Sequence, residues 1–217
     1  MNGKRNVKQM VLLAMLAAVA YITVSLIRVP VVLFLSYEPK DVIITIGGFL
    51  LGPMASFLIS LTVSLLEMVT ISQTGPIGAL MNLLSTCAFA CTAALVYKRK
   101  HTLSGAVLGL ITGTVVMVAT MMMWNWLITP LYMTGTSRSD VVAMLVPVFL
   151  PFNLLKAGLN SSFILLLYKP LITALRKAGL TPAPVKSTRS TKAGIYVLSV
   201  VLLIVCILFV LFYQGKL

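Results

Sequence analysis

Acidic residues are scarce: four Asp and Glu stand against 17 Lys and Arg, and there is one histidine. Charged residues make up 10% of the 217, against about a quarter in an average soluble domain, while 59% are hydrophobic. These shortages exclude whole classes of function. Membrane enzymes that act on phospholipids or peptides need metal-binding carboxylates, a nucleophile with its base, or a histidine pair. With Glu67 as the acidic residue inside the apolar runs and His101 in a basic loop, no such site can be assembled. There is no G-x-x-x-x-G-K-[ST] phosphate loop, so ATP cannot be hydrolysed by that route. Cys87, Cys91 and Cys206 lack the spacing of a zinc site or a disulfide framework and read as packing residues. No metal and no cofactor are expected.

What the chain has is apolar length. Long runs occur at 10–27, 42–71, 76–97, 103–128, 141–168 and 195–213, and a membrane span needs about 20 such residues. The run 42–71 is too long for one untilted span, and Gly52-Pro53 breaks it into a short helix, 42–52, and a full one, 54–71. The expectation is an all-α integral membrane protein with six helices in residues 1–180. A flexible linker over 181–194, marked by Pro182 and Pro184, leads to a seventh transmembrane helix within 195–217.

A net charge of +13 would suggest nucleic acid if the protein were soluble, but the placement of the charges removes that reading. Twelve of the basic residues fall in three groups: Lys4, Arg5 and Lys8; Lys98, Arg99 and Lys100; Lys169, Arg176, Lys177, Lys186, Arg189 and Lys192. With the N-terminus in the cytoplasm and 42–71 crossing as a pair, all three lie inside, as the positive-inside rule requires. Glu38, Asp41 and Asp140 then fall in or beside the two outer loops, with Arg28, Lys40 and Arg138. The first run resembles a signal peptide up to Ala18-Val19-Ala20 but continues to Ile27, so it is expected to stay as a helix.

Small residues four apart allow helices to approach closely in lipid. Ala14 and Ala18, flanked by Ala17 and Ala20, form one such series, and Gly105, Gly109 and Gly113 form another. The alanine series suits either packing within the bundle or docking of another membrane protein.

Ionisable groups within a span are functional candidates by default; Glu67 and Lys156 qualify, both in the outer half. Asn153, Lys156 and Asn160 follow i, i+3, i+7 and share one helical face, just after Pro147 and Pro151. Asn125, between Trp124 and Trp126 and ahead of Thr129, Pro130 and Tyr132, can hydrogen-bond a ligand that the rings cover; the tryptophans also suit a purely interfacial role. The loop 29–41 is apolar for a segment facing water and is expected to fold back as a lid. A flat ligand with polar edges would suit a site made by these three segments.

The stretches Ser-Tyr-Glu-Pro-Lys-Asp with Ile-Gly-Gly-Phe-Leu-Leu-Gly-Pro, Trp-Asn-Trp-Leu-Ile-Thr-Pro-Leu-Tyr, and Pro-Phe-Asn-Leu-Leu-Lys-Ala-Gly resemble those of the substrate-binding S components of energy-coupling factor (ECF) transporters. The resemblance covers residues 10–180, and the Asn125 and Asn153-x-x-Lys156 segments look like the riboflavin-specific subgroup. It implies a six-helix bundle in the cell membrane that captures a vitamin and assembles with a membrane coupling subunit and two ABC-type ATPases. Carried over by position, Asn125, Asn153 and Lys156 would hydrogen-bond riboflavin and Leu35, Ser36 and Tyr37 would cover it. Ala14 and Ala18 would form the face that docks on the coupling subunit. The run 195–213 exceeds the family's six-helix pattern. An S component for another vitamin, such as a carboxylate that Lys156 would pair with, and an ion-coupled carrier remain as alternatives.

Overall fold

The computed structural model describes residues 2–33, 35–71, 75–132, 137–177 and 192–213. The expected linker lies outside them up to residue 191. The elements in order are α1 (Asn2–Leu26), a hairpin of β1 (Val29–Val32) and β2 (Leu35–Tyr37), α2 (Lys40–Leu51), α3 (Pro53–Thr70), α4 (Gly75–Lys100), α5 (Leu103–Leu127) and a single turn α6 (Thr129–Tyr132). They continue with α7 (Arg138–Met144), which runs through a π-helical turn at Leu145–Phe149 into α8 (Leu150–Lys177), and end with α9 (Lys192–Tyr213). Among the described residues, five helices are long and apolar enough to cross a membrane: α1, α3, α4, the stretch 103–131 and the stretch 138–168.

The break at Gly52-Pro53 falls where expected. Gly52 has φ +97°, a left-handed value that a side chain would strain, and Pro53 opens α3 at the first helical position, where its missing N–H costs nothing. The short α2, 12 residues long, returns through α3 and is buried on almost every side. At Gly48 a Cβ would lie 2.0 Å from Ser56 Oγ and 2.9 Å from Ala94 Cβ, so this glycine lets α2, α3 and α4 meet.

The glycine series on α5 packs inward. A Cβ at Gly109 would stand 2.6 Å from the Ala93 carbonyl oxygen, and one at Gly113 would stand 2.6 Å from that of Phe89. The two backbones are thus nearly in contact, as small-residue faces permit in lipid. One core, with Val42, Ile46, Phe89, Ala93, Leu110, Met117 and Trp124, joins α2, α4 and α5, while a second joins α1 to α2 and α3 through Leu12, Leu16, Ala17, Ala20, Ile44 and Ile59.

Pro147 and Pro151 leave the long final helix of the core continuous, with the π turn at the first of them and just ahead of the second. The extra residue in that turn re-aims the rest of the helix, as such bulges do at functional sites. Asn153 and Lys156 lie on the first two turns beyond it.

Candidate functional site

The polar groups gather at the end of the bundle where the hairpin and the start of α2 lie, away from the Lys98–Lys100 cluster that closes α4. A cleft with about 450 Å³ of empty space opens there, lined by Arg28, Leu35, Ser36 and Glu38 from the hairpin side, Met81, Asn82 and Ser85 from α4, Met121 and Asn125 from α5, and Phe152, Asn153 and Lys156 from α8.

Behind the cleft lies a chain of ion pairs that the sequence did not reveal. Lys156 Nζ stands 3.1 Å from Asp41 Oδ2, and Asp41, wholly buried, also accepts from Thr86 Oγ1 at 2.7 Å and Asn160 Nδ2 at 3.3 Å. Asp41 therefore ties α2 to α4 and α8. Beside it, Lys40 Nζ stands 2.7 Å from Glu38 Oε2 and 2.5 Å from Glu67 Oε1; Asn82 Nδ2 donates to Glu67 at 3.2 Å, and Arg28 Nε reaches Glu38 Oε1 at 3.1 Å. Three cations thus face three carboxylates. Burying such charges is tolerated only when they are paired and hydrogen-bonded in this way.

This corrects one expectation: Glu67 and Lys156 are not the whole set of buried ionisable groups, because Glu38, Lys40 and Asp41, in or beside the first loop, are buried as well. The signal that could have found them is the match of polar faces. Ser56, Ser60, Ser64 and Glu67 run along buried α3, and Ser85 and Thr86 are buried on α4, so the charged start of α2 had polar partners waiting.

Five of the six expected ligand residues line the cleft: Leu35, Ser36, Asn125, Asn153 and Lys156. Each asparagine is oriented by its own helix. Asn125 Nδ2 donates to the Met121 carbonyl at 2.8 Å while its Oδ1 accepts from Thr129 at 2.9 Å, and Asn153 Nδ2 donates to the Phe149 carbonyl at 2.7 Å. Every amide nitrogen carries two N–H groups, so one remains for a ligand. Lys156 Nζ also lies 3.5 Å from Ser85 Oγ.

Tyr37 does not line the cleft. Its ring is buried with Leu155, Leu159 and Cys206, and burial, with the negative charge of Asp41 nearby, pushes its phenol up and keeps it neutral. The tryptophans do not line the cleft either: Trp124 belongs to the core around Met117 and Met121, and Trp126 points outward with the Arg138 guanidinium 5.3 Å from its ring centre. The side chain of Tyr132 lies outside those described. The expected lid over 29–41 takes the form of an antiparallel hairpin, with Val29 opposite Tyr37 and a bulge between Pro30 and Val32. Its turn passes through Leu33 at φ +51°.

The alanine series divides. Ala17 and Ala20 are buried in the bundle, whereas Ala14 and Ala18 are exposed on the outer face of α1. Among the described residues no group of three or more His, Cys, Asp or Glu is placed to hold a metal ion.

The sequence profile of the family described as "ECF transporter, substrate-specific component" matches residues 8–168. The riboflavin transporter RibU of Staphylococcus aureus (strain TCH60) is 28% identical over 190 residues, covering 82% of this chain and all of that protein. The riboflavin transporter FmnP of Bacillus subtilis (strain 168) is 27% identical over 187 residues, covering 80% of this chain and 98% of that protein. The solved S component of a bacterial ECF transporter has the same fold, with a TM-score of 0.63 at 28% identity over 81% of this chain and 99% of that one. Helix α9 lies beyond the residues that the family profile matches.

Proposed function

The chain belongs to the family of ECF transporter substrate-specific components, and we propose that it is the riboflavin-binding subunit of such a transporter, working with a membrane coupling subunit and two ABC-type ATPases. The observation that carries this reading is the cleft in which Asn125, Asn153 and Lys156 face one another with Leu35 and Ser36 of the hairpin. The pyrimidine edge of the isoalloxazine presents an N–H between two carbonyls. An amide complements such an edge in both senses and a lysine complements it at an oxygen. Met81, Met121 and Phe152 supply apolar surface for the flat ring.

The multi-pass chain lies in the cell membrane with its N-terminus in the cytoplasm, which opens the cleft outward and places the basic clusters inside. Residues 1–180 form the substrate-binding unit, and α9, reached by the linker, is an added span. Ala14 and Ala18 offer the docking face for the coupling subunit, since their exposure on α1 leaves them without a packing role in the bundle. A carboxylate-bearing vitamin suits the site less well, because it would have to take Lys156 from Asp41.

Uptake of labelled riboflavin in cells lacking other flavin carriers tests the reading. Uptake is expected to need both this chain and the partner ATPases. Undiminished uptake after deletion of the ATPases, or transport driven by an ion gradient into vesicles containing this chain alone, would replace it with a self-sufficient carrier.

A further inference from the structure

Helix α9 is more than an appendage, because it reaches the hairpin. Leu202, Leu203 and Cys206 pack in one cluster with Leu155 and Leu159 of α8, Tyr37 of β2 and Val31 of β1. Gly158 makes the approach of α9 to α8 close: a Cβ there would stand 2.9 Å from Cys206 Sγ.

Tyr37 is the link between this cluster and the cleft. It comes after Leu35 and Ser36, which line the cleft, on the same short strand, and it pairs across the hairpin with Val29. The hairpin therefore cannot lift without drawing Tyr37 out of its seat. The Tyr37 hydroxyl is buried and has no hydrogen-bond partner among the described residues, so apolar packing is what holds the ring there. On α8 the same stretch serves both sides, with Lys156 turned to the cleft and Leu155 and Leu159 turned to Tyr37 and α9.

We propose that Leu202, Leu203 and Cys206 of α9 are positioning residues for the ligand lid: they seat Tyr37, hold the β1–β2 hairpin on the bundle, and so slow the release of ligand from the cleft. Lipid could cover the same apolar surface, so the contribution of α9 is close packing and not removal from water. Such an effect falls on dissociation and leaves association nearly unchanged. The kinetic part rests on the riboflavin reading; the effect on the hairpin does not.

The test uses the full chain carrying Leu202→Ala with Leu203→Ala, beside a control with Ile204→Ala and Val205→Ala, whose side chains are about half exposed on the outer face of α9. Riboflavin release is followed by stopped-flow fluorescence, and amide hydrogen exchange is measured over residues 29–37 in ligand-free protein. The Leu202/Leu203 variant is expected to release riboflavin about tenfold faster with an unchanged association rate. Its hairpin amides exchange faster while those of α4 and α5 do not, and the control matches the parent. Unchanged release together with unchanged hairpin exchange, or an equal change in the control, would overturn the proposal. If riboflavin fails to bind even the parent, the functional reading falls and hydrogen exchange alone decides this one. If the double variant does not fold, Gly158→Cys, oxidised to Cys206 so that α9 is fixed to α8, replaces it. Oxidised protein is expected to protect the hairpin amides more than reduced protein does, and equal exchange would overturn the proposal.

Discussion

Lys156 of α8 pairs with Asp41 at the start of α2, 3.1 Å from Nζ to Oδ2, while Glu67 is held by Lys40 at 2.5 Å. Lys156 thus lines the cleft and holds a structural partner at once. Removing one member of a buried pair strands the other charge and costs about 3–5 kcal/mol. Lys156→Met is expected to lower folded yield and the midpoint of thermal unfolding in detergent. Adding Asp41→Asn should restore much of the yield, and adding Glu67→Gln instead should not. Riboflavin affinity should stay low in every combination lacking Lys156. Rescue by Glu67→Gln would contradict the pairing seen here.

Lys40 holds two carboxylates, Glu38 and Glu67, so its loss strands Glu67 without a cation and leaves Glu38 to the half-exposed Arg28 alone, whereas Glu67→Gln leaves Lys40 with Glu38. Lys40→Met is therefore expected to be the more destabilising change, by about 1–3 kcal/mol beyond Glu67→Gln, the usual cost of a further unsatisfied buried group. Thermal unfolding of the two variants side by side checks the order.

Substitutions along α1 should separate its two faces. Ala14→Leu with Ala18→Leu adds bulk on an exposed face, and is expected to reduce co-purification with the coupling subunit while flavin binding holds. Ala17→Leu or Ala20→Leu adds bulk in the core, where overpacking costs about 1–3 kcal/mol, and is expected to lower folded yield instead. An unchanged yield of complex with the first pair would remove Ala14 and Ala18 from the docking face.

The spans and the Gly52-Pro53 turn were legible in the sequence because each rests on local features, apolar length and the backbone limits of glycine and proline. The Asn153, Lys156, Asn160 stripe was legible from helical spacing alone. Glu38, Lys40 and Asp41 were not, because a charged triplet beside a loop reads as solvated until its partners are seen. Those partners lie far along the chain, Thr86 45 residues from Asp41 and Asn160 119 residues from it. Trp124 and Trp126 were paired around one ligand although residues two apart on a helix differ by about 200° and cannot share a face. Tyr37 was placed in the cleft because the lid and the last helix could each be foreseen, but not that α9 would pack against Tyr37.

Titration of riboflavin fluorescence against purified protein tests the central claim, that Asn125 and Asn153 read the flavin in this cleft. The parent should bind one riboflavin per chain with full quenching. Asn125→Ala and Asn153→Ala should each weaken binding by about one to two decades, since each leaves a polar edge of the ligand unpaired at a cost of about 1–3 kcal/mol. Parent affinity in both variants, or no binding by the parent, would contradict the account.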